Sequence, residues 1–247
     1  MKRTEIIMGM PVTVEITDRF VTDADLEYIF SYFKKIDEQF SPYKETSEVT
    51  RLNRKEVNES SCSEEMKEIL KLAEKTKQET RGYFDVWNNN VFNPSGIVKG
   101  WAIYEASKIL DDKGFKNFYV DAGGDIEVRG KNEDGDLWRI GIRNPFDMHA
   151  IIKTLAVTDC GVATSGTYVR GQHIYDPHEP EKELKDMVSV TVIGPNVLEA
   201  DRFATAAFAM EEKGIVFISA IPHLAGYSVD SKGTATMTNN FDSFVLK

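Results

Sequence analysis

The chain has 247 residues, 41% of them hydrophobic, and a formal net charge of −10. That is enough apolar material for a sizeable core in one large domain, 1–247. The acidic balance argues against nucleic acid or an anionic membrane as partner, and an anionic ligand would need local help from a metal, a lysine or backbone N–H groups.

Residues 10–17 (MPVTVEIT) alternate as a strand does. Leu26, Ile29, Phe30, Phe33, Ile36 and Phe40 then recur at helical spacing, with Thr22 or Asp23 as the cap and Pro42 as the breaker. A second helix is expected over about 63–80, with Ser61 and Glu64 as a capping box and Met66, Ile69, Leu70 and Ala73 along one face. Residues 81–96 (RGYFDVWNNNVFNPSG) read as an ordered loop, and a helix follows over about 97–112, closed by Gly114. Short β-rich runs dominate the second half: FKNFYVDAG, DIEVRG, LWRIGIRNP, TLAVTD and VSVTVIG. A helix over 196–210, capped by Asn196, and strands near Ser228 and Thr236 complete an α+β class, with helices packed on mixed or antiparallel strands around a cleft. No window approaches the ~20 apolar residues of a membrane span. Cys62 and Cys160 lack CxxC spacing, so reduced thiols are expected rather than a zinc site or a disulfide framework.

Four segments carry candidate chemistry. In EADRFATAAFAM, Asp201 and Thr205 are four residues apart on the predicted helix and share a face. They suit two oxygen ligands of a hard cation such as Mg²⁺, and equally an acidic helix start above a small packing residue. In NPSGIVKGWA, Ser95, Gly96 and Gly100 surround a helix start whose N–H groups, with Lys99, suit phosphate; an ordinary glycine-rich turn reads the same way. Gly123 and Gly124 allow close backbone approach to a ligand or form a plain hairpin turn. Thr164, Ser165 and Gly166 are expected in a turn. His173, on an expected strand QHIYD, is a candidate base or phosphate contact, or a hydrogen-bonded structural histidine.

In this order, MGMPVTVEI, FSPYKETSEVTRLN, GYFDV, NPSGIVKGWA, DAGGDIEVRG, ATSGTY, HIYDP and EADRFATAAFAM resemble the ApbE flavin transferases, the FAD:protein FMN transferases, over nearly the whole chain. The resemblance implies Mg²⁺ bound by Asp201, Thr205 and the backbone carbonyl of Gly96, and FAD as substrate. It implies Lys99 near the FAD phosphates, Tyr43 packed on flavin, and Tyr83, Phe84 and Asp85 along the same pocket. Met8 or Met10 falls on the cofactor wall. His173, Ile174 and Tyr175 lie at the ligand, with His173 and Asp201 in catalysis. Gly123, Gly124, Thr164 and Ser165 fall in motifs on the same cofactor. One departure stands out: Asn93 replaces the aspartate that usually opens the glycine loop, and Pro94–Ser95 replaces Leu–Gly. The implied partner is an acceptor flavoprotein with a D-x-x-[ST]-G-A-T type motif, whose threonine or serine takes the FMN while AMP leaves. Alternatives are an FAD pyrophosphatase giving FMN and AMP, or a flavin carrier without turnover. The chain's own KGTAT at 232–236 reads as strand sequence, not as an acceptor site. The expected location is the cytoplasm, the alternative being an extracytoplasmic lipoprotein whose signal has been removed.

Overall fold

The computed structural model describes residues 1–166 and 174–247, with every side chain among them except that of Met148. Its centre is an eight-stranded sheet in the order β1 (Lys2–Ile7), β2 (Met10–Ile16), β5 (Phe118–Ala122), β6 (Asp125–Arg129), β9 (Cys160–Gly166), β10 (Met187–Gly194), β11 (Ala225–Asp230) and β12 (Ala235–Met237). All its ladders are antiparallel. Two small antiparallel pairs accompany it, β3 (Trp87–Asn88) with β4 (Val91–Phe92) and β7 (Trp138–Asn144) with β8 (Asp147–Val157).

The two faces of the sheet are covered differently. Alternation along each strand sends Val12, Val14, Val120, Ala163, Val190 and Val192 to one side, beneath the helices. These helices are α1 (Asp23–Phe40), α2 (Glu48–Asn53), α3 (Glu64–Glu79), α4 (Ser95–Asp112), α5 (Val197–Ala209) and α6 (Glu212–Ser219). Ile126, Val128, Val162, Ile193 and Val229 face the other way, against Trp138, Ile140, Leu155 and Val157 of the β7–β8 hairpin and Phe241 near the C-terminus. The C-terminal residues also close the outer edge of β8, where Val245 bridges Leu155 and the Leu246 N–H donates to Thr154 O at 2.8 Å.

Several elements depart from the sequence expectations. The cap of α3 is Ser63, whose Oγ accepts from Met66 N–H at 3.1 Å; Ser61 closes a short 3₁₀ turn with Asn58 instead. Leu70 is only half-buried, whereas Met66, Ile69 and Ala73 are core. The 81–96 segment contains the β3–β4 hairpin, turned by Asn89 and Asn90, which both have positive φ. Helix α4 starts at Ser95, two residues before the expected position. Thr164, Ser165 and Gly166 end an interior strand and do not form a turn, because they pair with Thr191, Val190 and Ser189 of β10. Ile174, Tyr175 and Asp176 belong to no strand, and His173 lies outside the described residues.

Candidate functional site

Four chain segments converge where α4 and α5 begin above β6 and β9. Helix α5 follows β10 after two residues, and Asn196 caps it by accepting the Glu199 N–H at 2.9 Å. Its first turn rests against β9 so closely that a Cβ on Gly161 would stand 1.9 Å from Val197 N. Asp201 and Thr205 lie on the side of α5 that meets α4, and the Gly100 N–H of α4 donates to Asp201 Oδ2 at 2.9 Å.

Asp201 is 3% exposed and Asp125, at the start of β6, 1% exposed. Between them stands Lys99 from α4, in tight ion-pair contact with Asp125 and with its Nζ 3.7 Å from Asp201 Oδ1. Asp125 Oδ1 also accepts the Thr164 N–H at 3.1 Å. Burial pushes the Asp201 carboxyl up, Lys99 pulls it back, and the Asp125 carboxylate pushes it up further. Among the described residues two buried carboxyl groups face one ammonium, an arrangement in which a further cation would favour the ionised form of both.

Oxygen donors sit alongside. Thr205 Oγ1 is 3.4 Å from Ser165 Oγ, and a Cβ on Gly96 would meet the Thr205 methyl at 3.6 Å and the Phe84 ring at 3.4 Å. A carboxylate, a hydroxyl and a backbone carbonyl therefore lie in one neighbourhood, a donor set that suits a hard cation such as Mg²⁺. Among the described residues no three His, Cys, Asp or Glu side chains cluster as a metal cage, so a cation here depends on the hydroxyl and carbonyl oxygens.

The carboxylates stand in the wall of a cleft of about 1630 Å³. The candidate residues Met8, Met10, Tyr43, Tyr83, Phe84, Asp85, Asn93, Ser95, Gly96, Lys99, Gly123, Gly124, Thr164, Ser165, Gly166, Ile174, Tyr175, Asp201 and Thr205 line this cleft, whereas Gly100 lies at the contact of α4 with α5 and does not. Its volume exceeds the ~300–1,000 Å³ usual for drug-sized ligands. Tyr43 is 93% exposed at the rim. Tyr83 packs edge-on against His178, whose ring nitrogen is 3.0 Å from Arg81 O. Asp85 pairs with Lys77 at 2.7 Å. Asn93 accepts from Ser95 N–H at 3.1 Å and from Ser95 Oγ–H at 2.6 Å, so its side-chain oxygen shapes the start of α4. An aspartate would make the same two contacts with a charge added.

Sequence reading missed Asp125, Glu127, Tyr119 and Asp121. Asp125 and Glu127 alternate on β6 opposite apolar Ile126 and Val128, and two acidic residues on the helix-covered face of an interior strand are a signal the motif reading passed over. Glu127 Oε2 accepts the Val197 N–H at 2.5 Å, tying β6 to the start of α5, and its Oε1 pairs with Arg129. Burial pushes the Glu127 carboxyl up to about 7, opposed by Arg129 and Val197 N–H. Tyr119 O–H donates to Asp121 Oδ2 at 2.9 Å, and Gly124 N–H donates to Asp121 Oδ1 at 2.8 Å, both residues lining the cleft. Arg202 is 2% exposed and clamps α5: it donates to Glu199 at 2.9 and 2.7 Å and to Thr76 Oγ1 at 3.2 Å, and it pairs with Glu79.

Fold and site together define an antiparallel-sheet α+β protein with one long cleft and a buried Asp–Lys–Asp cluster in its wall. The model of the ApbE family matches residues 8–93 and 88–227, and the chain belongs to that family. It is 33% identical over 165 residues to the FAD:protein FMN transferase of Vibrio cholerae serotype O1, covering 62% of this chain and 49% of that protein. To the FAD:protein FMN transferase of Escherichia coli K12 it is 28% identical over 164 residues, 62% of this chain and 47% of that protein. The chain thus spans about half the length of the curated relatives it matches. The solved flavin transferase ApbE from Vibrio cholerae has the same fold, with a TM-score of 0.85 at 23% identity over 99% of this chain and 98% of that one. So has the ApbE protein of Thermotoga maritima, with a TM-score of 0.86 at 21% identity over 100% and 99%.

Proposed function

We propose that residues 1–247 act as one Mg²⁺-dependent FAD:protein FMN transferase domain. The observation that carries this reading is the pair of buried carboxylates, Asp125 and Asp201, set around Lys99 in the wall of the long cleft. Asp201, Thr205 and the Gly96 carbonyl would hold the metal, which supplies charge neutralisation at the FAD pyrophosphate. Lys99, steered by Asp125, adds positive charge beside the phosphates. Phe84, Tyr83 and Tyr43 offer aromatic surface to the flavin.

The reaction breaks the bond between the FMN phosphorus and the bridging pyrophosphate oxygen, which leaves with AMP. An acceptor threonine or serine oxygen forms the new bond to that phosphorus, and His173 is the proposed acceptor of the hydroxyl proton. The acceptor is a flavoprotein segment of the D-x-x-[ST]-G-A-T type. The proposed location is the cytoplasm. No helix of the described residues is long and apolar enough to cross a membrane.

The test mixes the protein with FAD, Mg²⁺ and an acceptor domain bearing an S/T-G-A-T site, followed by denaturation and mass analysis. The expected outcome is FMN bound to the acceptor with AMP in equal amount. AMP without labelling would assign hydrolysis, and neither product would overturn both enzymatic readings. Asp201→Ala should abolish the activity; full activity in that variant would remove Asp201 from the metal site.

A further inference from the structure

The β7–β8 hairpin contributes an unusual wall to the cleft. Residues 139–143 of β7 line it consecutively, whereas β8 contributes only Ile151. A strand that lines a cleft with one face contributes every second residue. Five consecutive residues, two of them the buried Ile140 and Ile142, mean that β7 turns its backbone edge to the cleft. Among the described residues no strand pairs with that edge, while the outer edge of β8 is closed by Val245 and Leu246. An open strand edge is a template for another strand.

The edge also carries charge. Arg139, Gly141 and Arg143 are exposed on one face of β7, with the guanidinium-bearing positions four residues and about 13 Å apart. Gly141 has no side chain between them, and Ile151, 52% exposed, lies across it, its Cδ1 2.9 Å from where a Gly141 Cβ would stand. Arg139 has one exposed ion pair, to Asp136 at 3.8 Å, and Arg143 makes no salt bridge with a described residue, though its charge reaches Asp121 and favours that carboxylate's ionised form. On a chain of net charge −10, two guanidiniums flanking an apolar seat on an open strand edge select an extended, acidic partner.

We propose that the acceptor protein docks on β7 by strand addition, laying an extended acidic segment along residues 139–143 with carboxylates at Arg139 and Arg143 and its reacting hydroxyl directed into the cleft. The proposal rests on the transferase reading and adds how the protein substrate is held. Backbone pairing would give affinity across many sequences, while the two arginines and Ile151 would set preference.

The test compares wild type with the double variant R139E/R143E, using the same acceptor domain, and maps amide hydrogen exchange of wild type with the acceptor added. Arg139 and Arg143 are exposed, and FAD binding measured by flavin fluorescence reports whether the cleft is intact. The expected result is a KM for the acceptor raised about tenfold or more, unchanged FAD affinity, and acceptor-dependent protection of the amides of 139–143. An unchanged acceptor KM, or protection confined to other segments, would overturn strand addition while leaving the transferase reading in place. Weakened FAD affinity in the variant would overturn it too, by assigning the arginines to the FAD site. Absence of both labelling and AMP in wild type would instead remove the transferase reading itself, and the docking with it.

Discussion

The Gly100 N–H donates to Asp201 Oδ2 at 2.9 Å, and a Cβ on Gly100 would stand 2.8 Å from the Asp201 Cβ. The two helices that form the site thus touch through a glycine and a carboxylate, with no atom to spare. Gly100→Ala tests this contact. Alanine gains about 1 kcal/mol of helix propensity, but overpacking against Asp201 and the Val197 carbonyl costs about 1–3 kcal/mol. The expected outcome is a protein no more stable than wild type by urea denaturation and, with Asp201 holding Mg²⁺ as proposed, a raised Mg²⁺ requirement. A variant both more stable and unaltered in its Mg²⁺ titration would show that the helices are free to separate.

Glu127 gives a pH dependence. Its folded pKa of about 7 lies above the ordinary 4.5, so between these values the folded state binds the extra proton. This group's contribution to stability is present below pH 4.5, falls as pH rises to about 7, and stays lost above that. The full shift corresponds to about 3 kcal/mol as an upper limit. Glu127→Gln can still accept the Val197 N–H without ever ionising. Its stability relative to wild type should therefore increase between pH 5 and 8, as read by urea midpoints; a constant difference would assign the pH response to another group.

How much of this was legible in the sequence depends on how local the cause is. Thr22 caps α1 and Asn196 caps α5 within three residues of themselves, and both were readable. Ser61 and Ser63 both offer a plausible cap, and the choice falls to Ser63 partly because Glu48, 15 residues back, accepts from its N–H at 2.8 Å and from its hydroxyl. The strand character of Thr164 and Ser165 comes from pairing with β10, distant in the chain, so local composition reads as a turn. The motif order brought together the cleft residues named from the resemblance, but Asp125 acquires its meaning only when β6 is placed beneath Lys99.

Arg202 is a fixed charge in the core, and its loss should be costly. Arg202→Met leaves Glu199 and Glu79 without their common partner and should destabilise the fold by about 3 kcal/mol, measured by urea denaturation. Arg202→Lys should restore little, since one ammonium cannot reproduce the forked contacts to Glu199. Near-complete recovery by lysine would show that charge alone matters at this position.

The thiols should be silent. Burial pushes Cys160 up to about 12 and raises Cys62 as well. Iodoacetamide at pH 8 should leave the native protein unmodified and alkylate both cysteines in denaturant. Rapid native alkylation of Cys160 would show that the β6–β9 region opens.

The cleft draws Gly96, Asp125, Ser165 and Asp201 from four well-separated stretches of the chain, and they meet only when β9 has inserted between β6 and β10. Such non-local pairing is slow to form and closes late in folding. A nascent chain therefore has no complete site until α5 has been made and the sheet has closed around β9. On the proposed transferase reading, activity should accordingly be all-or-none with respect to folding.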